Sequence, residues 1–211
     1  VIGAGGAIAL LRSRGEEVKI VYMTDGREGI PSMADRDEVE RTRKRESARA
    51  VGVLGGAESF HLGAPETRLS PRRRLMEALT PILRDYAPRT IFLPWFFDNH
   101  VDHIETNRIF LRLSRVIDPE ANVLGFEVWT PLAANLHVDI TPVAEKKREA
   151  LLCFASQLLQ VDYMRTSMAL SRRRGVEAGL DGYAEAFLAL PAGEYLEWVR
   201  RSGISSLRFI G

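Results

Sequence analysis

Thr90-Ile91-Phe92-Leu93-Pro94 leads through Trp95-Phe96-Phe97 into Asp98-Asn99-His100-Val101-Asp102-His103. A short apolar run bounded in this way reads as a buried strand. Two imidazoles and two carboxylates crowd its exit, where open α/β sheets build their sites. Working outward, 17–24 and 58–62 read as earlier strands, and 5–14, 37–53, 70–86 and 104–116 as the helices that alternate with them. The alternation predicts an α/β fold, Rossmann-like and doubly wound, with a mostly parallel sheet and helices on both faces. Beyond it, 122–130 and 136–141 are expected as strands, Pro142 as the start of a long helix to 157, and 163–173 and 181–190 as further helices. A helix that opens such a fold with no strand before it conflicts with right-handed crossovers. A first strand, belonging to the natural protein, is therefore expected to be missing ahead of Val1.

The chain has 211 residues, 45% of them apolar and 27% charged, enough to bury the core of one domain spanning 1–211. A net charge of +1 offers no field for a polyanion, so nucleic acid is not expected as a partner. No apolar run is long enough to span a membrane, and the cytoplasm is the expected compartment. A homo-oligomer is compatible with this composition. The single Cys153 has no partner for an internal disulfide and lies beside Leu151, Leu152 and Phe154, as core filling does.

The chemistry points to a divalent metal. A catalytic zinc takes three protein ligands and leaves one position open, and His100 and His103 cannot complete that set. Asp102, between them, suits an imidazole's orienting partner better than a ligand. Asp25 and His61, each near a strand end, are internal candidates for a third ligand.

The residues also resemble a known family. Asp98-x-His100-x-Asp102-His103 is similar to the second signature of the LmbE-like, or PIG-L, zinc-dependent N-acetylglucosamine deacetylases. Val1-Ile2-Gly3-Ala4-Gly5-Gly6 resembles the stretch just after the family's first signature, and Thr24-Asp25-Gly26, Arg43-x-x-Glu46 and Leu62-Gly63-Ala64-Pro65-Glu66 continue the likeness. So do Asp139-Ile140-Thr141, Lys147, Ser156-Gln157 and Ala184-Glu185-Ala186-Phe187. The resemblance implies a hydrolase that removes an N-acetyl or similar acyl group from an N-acetylglucosamine-type sugar or glycoconjugate, with Zn2+ or another divalent metal as cofactor. It implies His103 as a metal ligand and His100, held by Asp102, as oxyanion stabiliser or general acid. Arg43 would contact substrate. Two more ligands and the general base belong to a His-Pro-Asp-Asp-Glu signature that no residue here matches. Phe154 stands where the family often has His, and Glu66 where it often has Asp.

Two other readings stay open. One is a non-catalytic ligand-binding domain with a degenerate metal site. The other is a dinucleotide-binding oxidoreductase built on Gly3-Ala4-Gly5-Gly6, although Ile8 falls where the third glycine of that fingerprint belongs. Trp95, Phe96, Phe97 and Trp129 suit either a sugar cleft or core packing. Arg72-Arg73-Arg74 and Arg172-Arg173-Arg174 read as solvated helix faces, and His61 and His137 as structural.

Overall fold

The structure, a computed structural model, describes residues 1–203. In chain order the elements are α1 (Gly5–Ser13), β1 (Lys19–Thr24), α2 (Arg36–Val53), β2 (Glu58–Ala64), α3 (Arg73–Tyr86), β3 (Thr90–Pro94), α4 (Val101–Arg112) and β4 (Asn122–Phe126). They continue with β5 (Leu136–Asp139), α5 (Ala144–Leu152), α6 (Ala155–Leu158), α7 (Tyr163–Glu177), β6 (Ala184–Pro191) and α8 (Ala192–Arg201). The α/β class stands. No helix among the described residues is long and apolar enough to cross a membrane.

The chain forms two compact units. The first comprises Val1–Glu66 with His137–Ala186, the second Thr67–Leu136 with the chain from Phe187 onward. In the first, β1 and β2 run parallel, Lys19 opposite Glu58 and Tyr22 opposite His61. Helix α2 is strongly charged, so local signals start it: Asp35 caps the amides of Asp37 and Glu38, whose acidic side chains suit a helix N-terminus. Its Ala50 and the adjoining Leu54 join Ala9, Ile140, Val143 and Ala150 in a core of small and branched side chains. Gly6 fits that core for a geometric reason. A Cβ there would lie 2.7 Å from Ile140 Cδ1, so only glycine lets the start of α1 approach so closely. Cys153 packs partly buried against the same core.

In the second unit β3 and β4 run parallel, with Thr90 opposite Asn122 and Pro94 opposite Phe126. β6 then adds to β4 antiparallel, from Phe126 opposite Phe187 to Asn122 opposite Pro191. This corrects the helix expected over 181–190. Its Ala, Glu and Leu favour a helix in isolation, but a short apolar run has no decisive period, and pairing with β4 overrides propensity. Proline then ends the strand, since it cannot donate to a ladder, and leads into α8. The expected helix from 142 to 157 is also broken. It is a 3₁₀ turn at Thr141–Val143, then α5 and α6, with Phe154 leaving helical geometry between them.

Candidate active site at the exit of β3

The site is built from the second unit outward from Asp98. That carboxylate is fully buried and accepts the His100 amide at 3.1 Å on Oδ1 and the Val128 and Trp129 amides at 3.2 and 2.9 Å on Oδ2. His103 Nδ1 stands 3.2 Å from Asp98 Oδ1. The nitrogen is buried and the geometry falls short of an aligned hydrogen bond, so ring and carboxylate face each other at close range without one. Burial alone would raise the Asp98 carboxyl, but His103 and the Trp129 and His100 amides outweigh it and hold the group down at about 2. With Nδ1 turned to the carboxylate, Nε2 is the nitrogen of His103 left for a ligand, and the side chain keeps 23% of its surface exposed.

His100 caps α4. Its Nδ1 accepts the Asp102 amide at 3.2 Å, one of the donors that a helix start leaves unpaired. The His100 and His103 rings lie 4.8 Å apart between centroids. Desolvation first, and then the neighbouring His103, lower the His100 pKa, against the opposing charges of Asp102 and Asp98. Asp102 therefore does not hold the His100 ring through its carboxylate, as the sequence suggested. That group is turned away, accepting the amides of Thr67 at 2.9 Å and Leu69 at 3.3 Å. Thr67 needs such an anchor, because its φ of 63° is a left-handed conformation that a β-branched residue rarely adopts.

Behind the histidines a buried network fixes the strand exit to the helix. Asn107 Nδ2 donates to the carbonyls of Pro94 at 2.8 Å and His103 at 3.0 Å, and its Oδ1 accepts the Tyr195 hydroxyl at 2.9 Å. Sequence reasoning found neither Asn107 nor Tyr195. An Asn one turn beyond a candidate ligand was the available signal for the first, and nothing local marked the second.

Arg43 lies in the first unit, on α2. Its Nη1 donates to Glu46 at 3.1 Å, its guanidinium lies 5.2 Å from the centre of the Phe154 ring, and its Nε is buried with no hydrogen-bond partner. Glu46 in turn accepts the amide and hydroxyl of Ser156. The other internal ligand candidates are occupied differently. Asp25 accepts the amides of Arg27 and Glu66, and exposed His61 stacks on Tyr22 at 4.6 Å. At the start of α1, the amides of Gly6 and Ala7 bind the Glu185 carboxylate at 2.8 and 2.7 Å. A dinucleotide's phosphates would need those donors, which counts against that reading. Glu185 is held by Lys147, whose Nζ also reaches Ser171 and the Ile2 carbonyl, with both charged side chains deeply buried.

Among the described residues no group of three or more His, Cys, Asp or Glu is arranged to hold a metal ion. His103 nonetheless fits one ligand of such a site: a ligating imidazole commonly turns its second nitrogen toward a carboxylate, as this one does toward Asp98. Asp98 and Asp102 do not fit, because backbone amides occupy both.

Comparison with known proteins bears on the family and the fold. The Escherichia coli (strain K12) protein YaiS, named as an uncharacterized deacetylase, is 26% identical over 132 residues, covering 60% of this chain and 66% of YaiS. The chain thus spans slightly less than two thirds of that relative. The fold of an N,N'-diacetylchitobiose deacetylase from Pyrococcus horikoshii superposes with a TM-score of 0.80 at 24% identity, over 92% of this chain and 80% of that one. The conserved protein TT1542 from Thermus thermophilus gives 0.75 at 26% identity, over 90% and 89%. With residues 1–114 of the 211 matching PIG-L, described as GlcNAc-PI de-N-acetylase, the chain belongs to the PIG-L, or LmbE-like, family.

Proposed function

We propose that the protein is a metal-dependent amide hydrolase that removes the N-acetyl group from an N-acetylglucosamine-type sugar or glycoconjugate. The observation that carries this reading is the coupling of His103 to buried Asp98 at the exit of β3. A divalent metal, zinc foremost, would supply the Lewis acidity that amide hydrolysis requires. His103 would hold it through Nε2, with Asp98 fixing the ring.

His100 is assigned to the oxyanion. Because Nδ1 accepts the Asp102 amide, the neutral ring carries its proton on Nε2 and can donate from there. An imidazolium would set a second N–H against that amide and would be formed against the lowered pKa. The ring is therefore better suited to stabilising developing negative charge as a neutral donor than to acting as general acid. Asp102 positions the 67–69 turn and the start of α4. Arg43 is assigned to substrate on the strength of its buried Nε, which lacks an acceptor. The general base is not assigned, since both carboxylates of the cluster are committed to amides.

The test is acetate release by the full-length protein from a panel of N-acetyl sugars, before and after chelation and zinc return. Activity that disappears with chelator, returns with zinc and is abolished in His103→Ala supports the reading. Tight sugar binding with no acetate release under any metal would instead favour the non-catalytic domain.

A further inference from the structure

Asn107 and Tyr195 are fully buried, and the polar groups of both side chains are matched. Only the NH2 of Asn107 can face the carbonyls of Pro94 and His103, and only its Oδ1 can accept, so the Tyr195 hydroxyl fixes which way the amide turns. Burial pushes the Tyr195 phenol well above its ordinary range, which keeps it a donor. The ring has room beside β4 because Gly125 carries no side chain: a Cβ there would lie 3.3 Å from Tyr195 Cε2 and 3.2 Å from Trp95 Cβ. Phe96 meets the same ring edge-on at 5.4 Å.

Helix formation does not require this network. An α-helix satisfies its carbonyls with its own amides. Asn107 lies with Ile104, Ile109 and Phe110 among the buried residues of α4, where a leucine would bury apolar area and the amide must instead be desolvated. What the amide does that a leucine cannot is join two main-chain points, Pro94 at the last residue of β3 and His103 in the first turn of α4. Between those points runs the connection that carries Asp98 and His100. The approach of Asp98 Oδ1 to His103 Nδ1, at 3.2 Å, closes across it, so its geometry depends on how the two ends are held. A ring with no aligned bond of its own to the carboxylate needs that support, and a fully satisfied buried network favours one arrangement over its alternatives. We propose that Asn107 and Tyr195 are positioning residues: by stapling the end of β3 to the first turn of α4, they set the His103 ring against Asp98 and present its Nε2 to a metal. The proposal rests on the metal-dependent reading for what His103 holds.

Zinc titration of the metal-free full-length protein, in competition with a chromophoric chelator, tests it. Zinc affinity should fall about tenfold in Asn107→Leu and by a smaller, measurable factor in Tyr195→Phe. Ile109→Ala is the control, because it opens a cavity in the same helix without touching the staple, and it should lose stability while keeping its zinc affinity. Tyr195→Phe removes one hydroxyl and keeps the ring, so it decides the matter even where Asn107→Leu does not fold. Undiminished affinity in Tyr195→Phe would overturn the proposal, as would a loss in Ile109→Ala as large as in Asn107→Leu. If the unaltered protein takes up no zinc, the metal-dependent reading falls, and the His103 ring resonances of the metal-free protein decide the positioning role. A single set that becomes doubled or broadened in Tyr195→Phe but not in Ile109→Ala supports the staple; resonances unchanged in Tyr195→Phe overturn it.

Discussion

Asp98 and His100 each do structural and chemical work, and substitutions can separate the two. Replacing Asp98 by Asn sets an NH2 group among the amides of His100, Val128 and Trp129 and removes the charge facing His103. Asp98→Asn should cost about 2–4 kcal/mol of stability in urea unfolding, since buried donors lose their acceptor; a cost below about 0.5 kcal/mol would contradict the geometry. At His100, Ala removes the helix cap and the donor together, whereas Asn keeps the cap. Both variants should lose about 10²–10³-fold in kcat on an N-acetyl sugar, but only His100→Ala should lose about 1 kcal/mol of stability. Equal destabilisation would mean that Nδ1 does not cap α4. At this scale the residues that crowd the strand exit were legible, because they are neighbours in sequence. Their pairings were not. Asp102, beside both histidines in sequence, faces the amides of Thr67 and Leu69, and the carboxylate that meets a ring is Asp98, at His103 and not at His100. The non-helical path from Asp98 to the extended N-cap His100, with the helix beginning only at Val101, decides which carboxylate meets which ring, rather than proximity along the chain.

Among the elements, α1 shows how a helix start can be fixed without a side-chain cap of its own. Its first amides bind Glu185, and Gly6 lets it settle against Ile140. Gly6→Ala gains helix propensity of about 1 kcal/mol, yet its Cβ would come within 2.7 Å of Ile140. Overpacking should prevail, giving net destabilisation of about 1–2 kcal/mol. Thermal unfolding of Gly6→Ala, Ile140→Val and the double variant checks this; the pair should be less destabilised than the sum of the single changes. Helices with caps or glycine stops were readable within a few residues, α2 and α7 among them. β6 was not, because its strand character comes from β4, more than fifty residues earlier in sequence, and a period-based reading sees only the chain's immediate neighbourhood.

For the whole molecule, the fold class was legible and its division was not. Strands alternating with helices specify an α/β chain with parallel pairing, as β1 with β2 and β3 with β4 show. The two compact units each draw on separate stretches of chain, Val1–Glu66 with His137–Ala186 in one and Thr67–Leu136 with the residues from Phe187 in the other. No composition shift marks these boundaries, since each is crossed by chain of ordinary globular character. Metal linkage acts at this same scale. A ligand that binds the folded state alone adds RT ln(1 + [L]/Kd), about 2.7 kcal/mol at a hundredfold excess over Kd. If His103 holds a resident metal, zinc at that excess should raise the melting temperature of the metal-free full-length protein by several degrees. His103→Ala should abolish the rise. His61→Ala should retain it, because that ring is exposed and stacked on Tyr22. An equal rise in all three proteins would move the metal away from β3 and take the proposed chemistry with it.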